Sequence, residues 1–172
     1  SFDDAYSAFA EQIKAGEVAG ADLILIETMS DVYEAKAAIV AAKENSQLPI
    51  LCTMTFQKDK RTLTGTDVLT MVNILQNLGI DALGANCSLG PKEMMGLVED
   101  LVRYSKIPII IQPNAGLPKI QNGHIYYETD AYEFSQYAKS MAQKGVIILG
   151  GCCGTTPEHI RAIKDVLADM SP

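Results

Sequence analysis

Apolar residues along the chain follow two alternating patterns. Five short, nearly continuous runs recur: Ala21–Ile26, Pro49–Met54, Asp81–Ala85, Ile107–Ile111 and Val146–Leu149. Such runs read as strands of a parallel sheet buried on both faces. Between them the apolar positions change to helical spacing. Val32, Ala35, Ile39 and Ala42 share one face, with Asp31 and Glu34 suited to its start. Val68, Met71, Leu75 and Leu78 form a second face, closed by Gly79. Met94, Val98 and Leu101 form a third, with Pro91 in the first turn. Phe134, Tyr137, Ala138 and Met141 form a fourth, closed by Gly145. Ile160, Ile163 and Leu167 form a fifth, behind Thr156-Pro157. Phe2, Tyr6, Phe9 and Ile13 predict a helix ahead of the first run. Strand and helix therefore alternate, which predicts βα crossovers and one parallel sheet. Lys119 to Tyr132 is too long for an ordinary βα turn and reads as a rim loop with a small hairpin.

In parallel α/β sheets chemistry collects at the carboxyl ends of the strands. The five runs end in Glu27-Thr28, in Thr55-Phe56-Gln57, in Asn86-Cys87-Ser88, in Gln112-Pro113-Asn114 and in Gly150-Gly151-Cys152-Cys153. In a barrel these ends share one mouth, so Cys87, Cys152 and Cys153 are expected to meet. Structural zinc sites take four protein ligands, whereas catalytic sites keep three and an open position. Cys52 lies mid-run and reads as a small buried hydrophobe. Neither His124 nor His159 stands at a run end, and both read as solvated. Three thiols at one mouth therefore point to catalytic zinc. Gly150, Gly151 and Gly154 would let the backbone bend so that two adjacent sulfurs face one ion. A metal-free redox pair of Cys152 and Cys153 is the competing reading, and it leaves Cys87 idle. On local grounds alone, Glu27 reads equally as a capping acid and Asn114 as turn chemistry.

Composition narrows the partners. The 172 residues carry a net charge of -7 and hold no Lys/Arg-rich run, which gives no reason to expect nucleic acid or an anionic membrane surface. No apolar run approaches the length of a membrane span. The first residues do not read as a secretory signal. Four cysteines then predict reduced thiols and a cytoplasmic setting.

The segments "LIETMSDVYEAKAA" (Leu25–Ala38), "TFQKDKRTLTGTD" (Thr55–Asp67), "DALGANCSLGP" (Asp81–Pro91), "QPNAGLP" (Gln112–Pro118) and "GGCCGTTPEHI" (Gly150–Ile160) resemble, in order, the homocysteine S-methyltransferase family. "TLTGT" and "NAGLP" are most similar to its cobalamin-dependent methionine synthase branch. The resemblance implies a TIM (β/α)8 barrel, of which this chain would supply about five strands, four to eight. Residues 1–172 would then be the C-terminal part of a homocysteine-binding zinc barrel. It implies Cys87, Cys152 and Cys153 as zinc ligands and catalytic residues. It further implies Glu27, Asn114 and Asn86 as substrate-binding residues, with Glu27 on the homocysteine amino group. The implied reaction is methyl transfer to the homocysteine thiol, which joins the zinc as fourth ligand and gives methionine. The implied donor is methylcobalamin or 5-methyltetrahydrofolate, so cobalamin and folate would enter only through other modules. Branches that use betaine or S-methylmethionine, and an inactive zinc- and homocysteine-binding fragment, are the alternatives. A partial barrel leaves open sheet edges, from which self-association is expected.

Overall fold

The computed structural model describes residues 1–121, 123–168 and 170. Its elements run α1 (Phe2–Val18), β1 (Ile24–Met29), α2 (Val32–Asn45), β2 (Ile50–Met54), α3 (Val68–Asn77), β3 (Ala82–Asn86), α4 (Pro91–Tyr104), β4 (Ile109–Gln112), β5 (Lys119–Gln121), β6 (His124–Tyr126), α5 (Ala131–Gln143), β7 (Ile148–Leu149) and α6 (Pro157–Leu167). Five strands form one sheet in the order β1-β2-β3-β4-β7, and every pairing in it is parallel. A helix lies between each pair of successive strands of this sheet. This is the architecture of a partial (β/α)8 barrel. Among the described residues no helix is long and apolar enough to cross a membrane.

Local chemistry explains where the helices start. Ser1 and Asp4 close a capping box on α1. Asp31, Asp67 and Asp130 each accept hydrogen bonds from first-turn N–H groups of α2, α3 and α5. A short polar side chain at this position satisfies donors that have no partner within the helix. Pro91 and Pro157 occupy the first turns of α4 and α6, where a missing N–H costs nothing.

The core divides between the two faces of the sheet. Cys52, Met54, Leu83, Ala85, Ile109 and Ile111 pack against the helices, with Met71, Leu75, Leu97 and Leu101 among their neighbours. Leu51, Ala82 and Ile110 form a smaller cluster on the other face, joined by Ile148. β2 and β3 are buried at every position, which is why their sequences are continuous apolar runs.

Two strand boundaries differ from the sequence pattern. β1 begins at Ile24, not Ala21, because its ladder starts where the Ile24 N–H meets the Pro49 carbonyl. It continues to Met29, so Glu27 and Thr28 lie inside the strand. β7 is only Ile148–Leu149: Val146 turns into the core, while Ile147 is 70% exposed. The rim loop does hold a hairpin, in which β5 and β6 pair antiparallel. Asn122, in that loop, lies outside the described residues.

Candidate metal centre

β3, β4 and β7 set the site, because their carboxyl ends lie side by side. Cys87 follows β3 directly and donates its N–H to the Gln112 carbonyl of β4 at 3.1 Å. Cys152 lies just beyond β7 and donates its N–H to the Pro113 carbonyl at 2.8 Å. Cys153 donates its N–H to Asn114 Oδ1 at 3.1 Å, and its own carbonyl accepts from the Ala115 N–H at 2.9 Å. The two loops that carry thiols are thus hydrogen-bonded to the end of β4 and the loop after it.

This frame brings the sulfurs of Cys87, Cys152 and Cys153 within 4.8 Å of one another. Cys87 and Cys153 are 3.8 Å apart, Sγ to Sγ. Tetrahedral zinc with Zn–S bonds of ~2.3 Å sets its sulfurs roughly 3.8 Å apart. The donor set is soft and all-thiol, which suits zinc and disfavours magnesium or calcium. Among the described residues the group has three members, all cysteine. Residues and spacing therefore fit a zinc ion with one position left open. Burial, and then the neighbouring Cys87, push the Cys152 thiol up to about 11. An ion here would therefore displace a proton from Cys152.

Cys87 and Ser88 both adopt positive φ, at 62° and 63°. Near Cys152 and Cys153 only Gly154 does, at 80°. Gly150 and Gly151 do not supply the bend expected of them. They supply room, since a Cβ at Gly150 would press on the Gln112 side chain and one at Gly151 would meet Thr155. The Thr155 hydroxyl in turn donates to the Cys152 carbonyl at 2.8 Å.

Asn86 and Asn114 join this frame. Asn86 is fully buried, and its Nδ2 lies 3.7 Å from Cys152 Sγ. Asn114 is also buried and holds the Cys153 N–H. Glu27 does not join the thiols: it is exposed on β1 and lines a groove of about 390 Å³ between β1 and α1. Cys52 is buried as expected.

His159 departs from its expected solvation. It is 8% exposed, donates from Nε2 to the Thr129 carbonyl at 3.0 Å, and accepts the Thr156 N–H at Nδ1. It also stands edge-on to Phe134. The ring thus ties the end of the rim loop to the start of α6. Tyr127 carried no signal in the sequence. Its ring lies against Gly154, where a Cβ would collide with it. Burial, and then the Cys153 thiol, push its phenol up.

Known proteins resemble this chain to different extents. Over 157 residues the chain is 33% identical to a methionine synthase from Mycobacterium tuberculosis, covering 88% of this chain and 13% of that protein. The homocysteine methyltransferase MmuM from Escherichia coli, apo form, superimposes with a TM-score of 0.79 at 23% identity. That match covers 96% of this chain and 57% of the other. The metallated form of MmuM gives 0.76 at 24% identity, covering 93% and 51%. At such identities the structural likeness speaks for the fold alone. The sequence matches the homocysteine S-methyltransferase family model over residues 1–167. On that match, the chain belongs to the homocysteine S-methyltransferase family.

Proposed function

We propose that the chain is the C-terminal part of a homocysteine-binding barrel, which uses zinc to methylate the thiol of homocysteine to methionine. The observation that carries this reading is the group of three sulfurs from Cys87, Cys152 and Cys153. The metallated MmuM structure and the methionine synthase relative support it.

Cys87, Cys152 and Cys153 would hold the ion. Bound zinc makes a coordinating thiol a thiolate at neutral pH, where a free thiol of pKa ~8.5 is mostly protonated. Asn114 Oδ1 fixes the Cys153 backbone, and its Nδ2 would serve the substrate. Glu27 would pair with the substrate ammonium. Its place on β1, apart from the sulfurs, calls for a substrate that spans from the thiol cluster to that strand. The homocysteine thiol would release its proton to solvent on binding the metal; its sulfur lone pair would then form the new S–CH3 bond, and the electrons of the broken methyl bond would stay with the donor. No base is needed at the sulfur, in keeping with a cluster that contains no histidine.

The donor is methylcobalamin or 5-methyltetrahydrofolate, on the resemblance of "TLTGT" and "NAGLP", brought by partner modules. The protein should purify with about one zinc per chain. Cys152→Ala should abolish both zinc uptake and methyl transfer from methylcobalamin to homocysteine. Full zinc retention in Cys152→Ala would refute the assignment. The exposed edge position of Glu27 favours a second reading, in which this chain binds zinc and homocysteine without turnover. Methionine formed from free methylcobalamin would reject it.

A further inference from the structure

The ladder between β1 and β2 breaks register at Glu27 and Thr28. Ile26 pairs with Cys52 and Met29 with Met54, so Glu27 and Thr28 together stand opposite Thr53. This is a β-bulge, a device that re-aims side chains next to active sites. Thr28 sits at φ 61°. That left-handed conformation is rare for a β-branched residue and persists only where the surroundings enforce it.

Asn86 enforces it. Its Oδ1 accepts the Thr28 N–H at 2.8 Å and the Thr53 hydroxyl at 2.7 Å. Its Nδ2 donates to Thr28 Oγ1 at 2.7 Å and to Cys152 Sγ at 3.7 Å. A backbone N–H can only donate, so the Thr28 contact fixes which amide atom is oxygen. A carboxamide offers two donors and two acceptor sites, and Asn86 uses all of them. It is also fully buried, so nothing of it is left for a substrate to reach.

We propose that Asn86 is a positioning residue that clamps the strained Glu27–Thr28 bulge of β1 to the Cys152 sulfur, coupling the acid-bearing strand to the thiol cluster. The importance of that coupling rests on the zinc reading above, whereas the clamp itself rests on four hydrogen bonds. Thr28 makes no hydrogen bond to a sulfur, yet through Asn86 it governs where one sulfur sits.

The test loads the chain with cobalt(II) and follows its affinity and its thiolate-to-cobalt absorption band. Thr28→Val keeps the branched shape and removes the hydroxyl. It should weaken cobalt binding about tenfold, the scale of one lost hydrogen bond, and alter the band. Thr28→Ser should restore both. Thr28→Gly removes the same hydroxyl and relieves the positive φ, so it gives the same readout if the valine variant folds poorly. Cobalt affinity and band identical to wild type in a folded Thr28→Val or Thr28→Gly chain would overturn the clamp. If the wild-type chain takes up no cobalt, the metal reading fails and the clamp is judged on Cys152 alone. Its alkylation by iodoacetamide, mapped by mass spectrometry, should then differ several-fold in rate between wild type and Thr28→Val, and equal rates would overturn the proposal.

Discussion

Burial sorts the four cysteines into different chemistries. Cys52, in the middle of β2, packs against the helices, and burial pushes its thiol up from 9.0 to about 12. Below pH 9 it is protonated in both the folded and the unfolded chain and favours neither. From pH 9 to about 12 the unfolded chain gives up this proton and the folded chain keeps it, so stability falls as pH rises. Three pKa units correspond to a loss on the order of 4 kcal/mol across that window. Metal-free, reduced wild-type protein should therefore lose urea resistance more steeply between pH 9 and 11 than Cys52→Val, which has no proton there to lose. Parallel curves for the two proteins would show that Cys52 ionises as readily in the folded chain as in the unfolded one. The inertness of Cys52 was legible in the sequence because it lies inside an apolar run. The role of Asn86 was not. It precedes Cys87 in the chain, but its hydrogen-bond partners Thr28, Thr53 and Cys152 come from β1, β2 and the loop after β7. The burial of His159 was not legible for the same reason, since the Thr129 carbonyl it bonds lies 30 residues away.

At the scale of elements, the helices were the most legible, because a period of 3.6 and a capping residue are both local signals. Strand ends were less so: β1 and β7 begin and end where neighbouring strands offer partners, not where hydrophobicity stops. Glycine shows how much the element decides. Gly84 lies within β3, and a Cβ there would land on the backbone carbonyl of Ile110 in β4. No side chain can swing away to make room, so Gly84→Ala should cost about 1–3 kcal/mol or more. Gly16 lies in α1 with nothing within 4 Å of the same probe atom. Gly16→Ala should stabilise by about 0.5–1 kcal/mol, because alanine has less backbone freedom to lose on folding. Thermal unfolding of the two variants should move in opposite directions from wild type. A Gly84→Ala protein that melts at or above the wild-type temperature would show that β3 and β4 are less closely apposed than described.

At the scale of the whole molecule, the sheet has two open edges, β1 and β7. An unpaired strand presents a row of N–H and C=O groups that another chain can extend, and natural proteins blunt such edges with charge. The bulge and the exposed Glu27 blunt β1 only in part. Leu23 and Leu25 are 46% and 36% exposed, and the groove of about 390 Å³ beside them is lined by Phe9, Ile13 and Ile26 of α1 and β1. The other edge adds Ile147 at 70% exposure. The net charge of -7 resists association through long-range repulsion. That repulsion is screened within ~8 Å at physiological salt, whereas strand pairing and apolar contact act at closer range. The chain alone should therefore self-associate at micromolar concentration, and added salt should strengthen the association. Leu25→Lys places a charge on the β1 edge without entering the buried core, so it should shift the population to monomer while leaving cooperative unfolding intact. Size-exclusion chromatography with light scattering, over a wide dilution range and at two salt concentrations, measures this directly. Wild-type protein that stays monomeric throughout would mean the β1 edge is self-protected. An associating Leu25→Lys variant would instead place the contact on the β7 edge, where Ile147→Lys is the matching substitution.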